Sequence, residues 1–294
     1  MLSFVILAAL SSSSYAAETF TIPGLPDGEK VVYGVDNRQD VADVTNPLYR
    51  KLAESTAAMM PAYVVEDLTN GRSSFRSGTL HTDLHVCADE RFADQITPAM
   101  CSGFLVGKDI LVTAGHCIKD RSDCSSNRWV FDFRQDLIGT YPTVPNKNVY
   151  GCARIISRAL DKLTKLDYAM IQLDRPVTDR EPLKVRREGE VKLGEKLVVI
   201  GHPSGLPTKV SDGAFVRNTF HETFFKANLD TFGGNSGSAV FNAETGEVEG
   251  ILVRGANDYK LDRTQGCYRV HDCMTLGCRG EDSTRITKVP VPAL

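Results

Sequence analysis

From Met100 onward the chain is a series of short apolar runs broken by glycine, proline and asparagine, and no stretch there keeps a helical period over several turns. Gly103-Phe104-Leu105-Val106 and Ile110-Leu111-Val112-Thr113 are separated only by Gly107-Lys108-Asp109, the pattern of a hairpin. Runs of the same kind recur at Trp129–Phe133, Val149–Ala153 and Asp167–Leu173, then at Lys196–Ile200, Ala214–Arg217, Phe224–Asn228, Ser238–Phe241 and Val248–Val253. Gly201-His202-Pro203 and Glu244-Thr245-Gly246 read as turns between them. This pattern argues against an α/β fold. It favours an all-β architecture with short helices only, either one large unit or two small barrels sharing a cleft, and 294 residues suffice for both.

One glycine turn in this series has further content. Thr231-Phe232-Gly233-Gly234-Asn235-Ser236-Gly237-Ser238 sets a serine among glycines, which reach backbone angles that other residues avoid. On such a turn the Ser236 hydroxyl points into a cleft while the N–H groups of Gly234 and Ser236 face one small volume, as an oxyanion site requires. Glycine turns also close ordinary hairpins, and the G-x-S-x-G elbow of α/β-hydrolases is not matched. Two upstream segments give the catalytic reading its specificity. Thr113-Ala114-Gly115-His116-Cys117 follows the run Ile110–Val112, and Asp167-Tyr168-Ala169-Met170-Ile171-Gln172-Leu173 is a strand-like run headed by an acid. They stand in the order His, Asp, Ser.

In these three motifs the sequence resembles the trypsin/chymotrypsin-like serine proteases, and within them the bacterial branch that includes the glutamyl endopeptidases. The resemblance spans about Cys101 to Gly255. It implies two antiparallel six-stranded β-barrels with the active site in the cleft between them. It also implies His116 as general base, Asp167 as its orienting acid, Ser236 as nucleophile, and Gly234 and Ser236 as oxyanion-hole donors. A Cys101–Cys117 disulfide bracketing the strand pair that delivers His116 belongs to the same expectation. The implied substrates are proteins or peptides, and the chemistry requires no metal and no organic cofactor.

The resemblance also suggests a specificity pocket. Trypsin-like members place an acid six positions before the nucleophile, at the floor of a pocket that selects Lys or Arg, and Asp230 stands there with Thr231 beside it. Leu252, Val253, Arg254 and Gly255 form the expected wall, which lacks the His by which glutamyl endopeptidases recognise acidic side chains. A preference for Lys or Arg follows, although Arg254 is able to neutralise Asp230 or to meet an acid itself. Asn235 departs from the digestive members, where an Asp pairs with a freed amino terminus, and a neutral amide cannot form that ion pair. In the glutamyl branch, which shares the Asn, the terminus lies near the pocket. That is the role expected here for any terminus freed by cleavage after Lys30.

Composition limits partners and compartment. A formal net charge of −3 and the lack of a basic stripe argue against nucleic-acid binding. Leu2–Leu10 is apolar and Ser11–Ala17 supplies small residues, so 1–16 reads as a signal peptide, too short to span a bilayer, although Lys and Arg are missing before it. Export without a membrane anchor, to an extracellular or periplasmic destination, fits the eight cysteines, an even number that reads as disulfides. Cys267, His271, Cys273 and Cys278 only loosely match a zinc spacing, and His81 with His85 lacks a third ligand, so no metal is expected. His202, before a proline in a turn, reads as structural.

Residues 17–30, rich in Pro and Gly, read as a propeptide, and 31–85 as an N-terminal extension packing on the protease domain, with a surface helix at Leu48–Met59. Residues 86–294 form that domain, barrel 1 over about 86–180 and barrel 2 over about 181–290, with a short helix near Thr284–Lys288. A monomer is expected. Two readings compete: a protease-fold binding protein without activity, and a disulfide-rich surface protein in which His116 and Asp167 are coincidences.

Overall fold

The computed structural model describes residues 32–138, 142–255, 257–273 and 278–293. The expected signal peptide and propeptide, 1–30, lie outside the described residues.

In the first half the strands are β1 (Arg38–Asp40), β2 (Thr56–Pro61), β3 (Val65–Asp67), β4 (Arg72–Phe75), β5 (Cys101–Leu105), β6 (Ile110–Thr113), β7 (Asn127–Phe131), β8 (Thr143–Pro145), β9 (Val149–Leu160) and β10 (Asp167–Leu173). In the second they are β11 (Lys196–Gly201), β12 (Lys209–Asn218), β13 (Phe224–Ala227), β14 (Ala239–Asn242), β15 (Val248–Arg254), β16 (Tyr259–Asp262), β17 (Cys267–Val270) and β18 (Glu281–Arg285). The helices are short, the longest described being α1 (Pro47–Ala53).

Strands β10-β6-β5-β2-β7-β9 close into one barrel. The second sheet runs β12-β11-β14-β15-β18-β13, and the β12–β13 pairing closes it into a second ring of six, with β1 added along β12. All the pairings within the two rings are antiparallel. Closure removes the unpaired edges that short open sheets would present to water. The expected pair of six-stranded barrels is therefore what forms.

A single apolar cluster runs through both barrels, from Phe104, Leu111 and Trp129 in the first to Ile200, Phe241 and Ile251 in the second. Each is essentially inaccessible to solvent, and burying a side chain of this size contributes about 1.5–3 kcal/mol. The cluster welds the barrels together, so the groove between them has rigid walls.

Two expectations need correction. Helix formation over Leu48–Met59 stops at Ala53, and Thr56–Pro61 becomes β2, the fully buried strand between β5 and β7. Asn46 caps α1, its side chain accepting from Leu48 N, and Pro47 begins the first turn. The stretch 31–85 thus supplies a stave of the first barrel and, through β1, an edge of the second. Near the C-terminus, Glu281–Arg285 is strand β18 between β13 and β15, and only Ile286–Lys288 makes a helical turn. Polar β18 is tolerated inside because its charged side chains are paired: Asp282 with Lys226 and Arg254, Arg285 with the carbonyls of Thr219 and His221.

Candidate active site

His116 lies just beyond β6 and Asp167 opens β10, and β6 and β10 are neighbours in the first barrel. The pairing brings the imidazole and the carboxylate together across 51 residues of chain. His116 Nδ1 is 2.9 Å from Asp167 Oδ2, while Asp167 Oδ1 accepts the N–H groups of Gly115 (2.7 Å) and His116 (3.2 Å). Thr284 Oγ1 on β18 donates to the Asp167 carbonyl, so the second barrel also holds this residue.

Burial pushes the Asp167 carboxyl upward. Hydrogen bonds from His116 and the charges of His116 and Arg254 outweigh it, and the group sits below the usual carboxylate range. An ionised Asp167 accepts from Nδ1–H, which leaves Nε2 as the basic nitrogen of His116.

Ser236 comes from the turn before β14. Asn235 N donates to Phe232 O and Ser238 N to Asn235 O, which close the turn on both sides of it. Gly237 permits this shape at φ +89°, and a Cβ there would lie 2.1 Å from Ser102 O on β5 and 2.2 Å from Thr113 Oγ1 on β6. The turn is therefore seated directly on the strands that lead to His116. Ser102 N donates to Ser236 O at 2.8 Å, and Cys117 Sγ lies 3.7 Å from the same oxygen. The Cys101–Cys117 disulfide is present and ties the two strand ends beneath this contact.

Gly234 has φ +86°, with His202 O 2.5 Å from where a Cβ would stand. The Gly233 carbonyl accepts from Ser204 N, and because the peptide is trans, the Gly234 N–H points the opposite way, away from the 203–205 turn. His202 itself is fully buried. Its Nδ1 contacts Leu206 O, its ring stacks on Phe133, and desolvation pulls its pKa down to about 3.

The expected wall lies beside the Ser236 turn: Leu252 on β15 accepts from Gly237 N (2.8 Å) and donates to Ser238 O (3.0 Å), with Val253 and Arg254 following. Arg254 does not reach toward Asp230. Its Nε donates to Asp282 (3.2 Å), its Nη1 is 3.7 Å from Asp167 Oδ2, and its guanidinium lies over the Phe224 ring. The Gly255 carbonyl accepts from Arg279. Thr231 Oγ1 donates to Glu281, a fully buried carboxylate on β18.

Asp230 is engaged differently from the expected pocket floor. It is 4 % exposed, and its two oxygens accept the backbone N–H groups of Tyr33 (2.7 Å) and Asn37 (2.9 Å). Burial is the largest influence on it and, despite the two amides, pushes its pKa up to about 6. The carboxylate thus anchors the 32–37 segment, which also bridges Asp272 through Val32. No sequence signal marked Tyr33 and Asn37, because their contribution is made by backbone amides that every residue but proline carries.

The remaining cysteines pair as Cys87–Cys267, Cys124–Cys152 and Cys273–Cys278. The loosely zinc-like group around His271 is thereby divided between two disulfides.

This chain is similar to known proteins. A probable serine protease of Lysobacter enzymogenes is 24% identical over 240 residues, which cover 68% of this chain and 36% of that protein, so the chain spans about a third of its relative's length. Among solved structures, the Vibrio cholerae VesB protease is 15% identical with a TM-score of 0.50, covering 86% of this chain and 64% of that one. A Glu endopeptidase is likewise 15% identical, with a TM-score of 0.49 over 87% of this chain and 94% of its own. A family model described as a trypsin-like peptidase domain matches residues 101–251, just over half of the sequence, and the chain belongs to that family.

Proposed function

We propose that the protein is a serine endopeptidase that hydrolyses polypeptides through an acyl-enzyme. The observation that carries the reading is the His116–Asp167 contact, with its carboxylate oriented by two amides, set against the glycine turn that bears Ser236. His116 Nε2 removes the Ser236 proton as Oγ attacks the scissile carbonyl. The protonated ring then returns that proton to the leaving amine, and water repeats the sequence on the acyl-enzyme. Asp167 holds the tautomer and stabilises the imidazolium. The N–H groups of Gly234 and Ser236 receive the negative charge that develops on the carbonyl oxygen. Leu252, Val253 and Gly255 line the path of the substrate beside that turn. A Lys or Arg preference draws no support from Asp230, whose oxygens are taken by amides within the protein.

Four disulfides call for an oxidising compartment, so we place the enzyme outside the cytoplasm, extracellular or periplasmic, acting as a monomer. No described helix is long and apolar enough to cross a membrane.

A fluorophosphonate probe tests the reading. The parent is expected to be labelled covalently and to cleave a denatured protein substrate, while Ser236→Ala loses both and His116→Ala loses labelling. Parent-level cleavage by Ser236→Ala would remove the assignment, and an unlabelled, inactive parent would favour a binding protein on this scaffold.

A further inference from the structure

The Gly233–Gly234 peptide sets the direction of one proposed oxyanion donor, and Gly233 is held through the peptides on both sides of its Cα. On one flank Ser204 N donates to the Gly233 carbonyl. On the other, Gly233 N, which belongs to the preceding Phe232–Gly233 peptide, donates to Asp258 Oδ2 at 2.7 Å. Asp258 lies in the segment between β15 and β16, far in sequence from every residue assigned above except the wall. We propose that Asp258 is a positioning residue for the oxyanion site, holding the Phe232–Gly233 peptide that leads into the Gly233–Gly234 peptide, so that the Gly234 N–H stays directed at the substrate carbonyl.

The two flanks are tied to each other. Tyr259, next to Asp258, brings its hydroxyl to 2.6 Å from Ser204 Oγ, and its ring lies 5.4 Å from that of Phe232, which precedes Gly233. Ser204 adopts a left-handed backbone (φ 54°), which is uncommon for a serine and is held here by these contacts. Gly233 and Gly234 have no side chains to anchor them, and glycine peptides reorient more freely than any others. Without an external acceptor for Gly233 N–H, the Phe232–Gly233 peptide would tilt, and the shift would pass through the Gly233 Cα to the next peptide and turn the Gly234 N–H away from the reacting oxygen. A carboxylate acceptor is well suited, since charge-assisted hydrogen bonds are shorter and stronger than neutral ones. The clamp acts on the donor before substrate arrives, which is what electrostatic preorganisation demands.

The inference rests on the proposed triad and oxyanion assignment, so its test begins with a parent shown to label at Ser236. Asp258→Ala and Asp258→Asn are compared with that parent for kcat, KM, melting temperature and affinity for a peptide boronic acid, whose tetrahedral adduct uses the oxyanion donors. Deleting one donor outright typically costs a factor of about 100–1000, and releasing one from its clamp costs less. The alanine variant should lose about tenfold in kcat and in boronate affinity together, with KM within about twofold. The asparagine variant keeps an acceptor of similar size and should lose only about two- to threefold in both. If alanine does not fold, the parallel fall in the asparagine variant carries the test alone. Folded variants with unchanged kcat and boronate affinity, or a loss carried by KM, would overturn the proposal. A parent that does not label at Ser236, or Ser236→Ala with full activity, would instead remove the triad reading on which it stands.

Discussion

At the scale of single residues, the acids of this molecule differ in ways that their positions in sequence do not announce. Asp167 meets a histidine ring and two amides and is held ionised. Asp230 meets two amides under heavy burial and is pushed from 3.8 to about 6. Between those values the folded protein keeps a proton that the unfolded chain has already lost, so Asp230 makes stability fall as pH rises through this window. The full effect is about 3 kcal/mol, because each tenfold change in a proton-binding constant is worth about 1.4 kcal/mol. Asp230→Asn cannot ionise, and its urea midpoint should lack that slope between pH 4 and 6, while cleavage preference in a peptide library stays as in the parent. A preference that changed with Asp230→Asn would return this residue to the substrate pocket. His116, Asp167 and Ser236 stood out as candidates because the proposed chemistry demands particular side chains in a particular order. Asp230 was legible as an acid near Ser236, but not as an anchor for the 32–37 segment, since its partners are backbone amides.

Among the elements, strands β5, β6, β9, β10 and β11 fall where apolar runs and turn residues place them. Thr56–Pro61 did not read as a strand, because Ala and Met are good helix formers and follow α1 almost directly. Pairing with β5 on one side and β7 on the other overrides that local preference. β18 was missed for the opposite reason: Glu281-Asp282-Ser283-Thr284-Arg285 carries no apolar residue, and its burial depends on partners from other elements. The glycine turn that carries Ser236 is the element most exposed to a small change. A methyl group at Gly237 would meet the Ser102 carbonyl, which is backbone and cannot move aside, at a φ that L-residues rarely adopt. Gly237→Ala is expected to destabilise the protein by about 3 kcal/mol or more and to abolish probe labelling of Ser236. A thermal melt and a labelling assay on the same preparation check both, and a variant that melts and labels like the parent would contradict this account of the turn.

For the molecule as a whole, the disulfides differ most in the length of chain they close. Cys87–Cys267 spans 180 residues and joins the segment after α2 (Leu80–Leu84) to β17, whereas Cys273–Cys278 spans 5. In the chain-entropy account, the first restricts the unfolded state by about 5 kcal/mol and the second by about 2. Guanidinium unfolding of the Cys87→Ser/Cys267→Ser and Cys273→Ser/Cys278→Ser double variants should therefore show the larger loss in the first, and equal losses would point to enthalpic rather than entropic stabilisation. The sequence by itself determined the β class and the order of the three proposed catalytic side chains, and its family resemblance implied one of the four disulfides. The first two follow from local periodicity and from side-chain chemistry, and the disulfide from the resemblance alone. Tertiary structure alone decided that β2 completes the first barrel, that Asp230 holds the N-terminal segment, that Arg254 lies beside Asp167, and that Asp258 grips the Gly233 amide. These are contacts between residues distant in sequence, made through backbone groups or through side chains whose partners appear only when two closed barrels are pressed together.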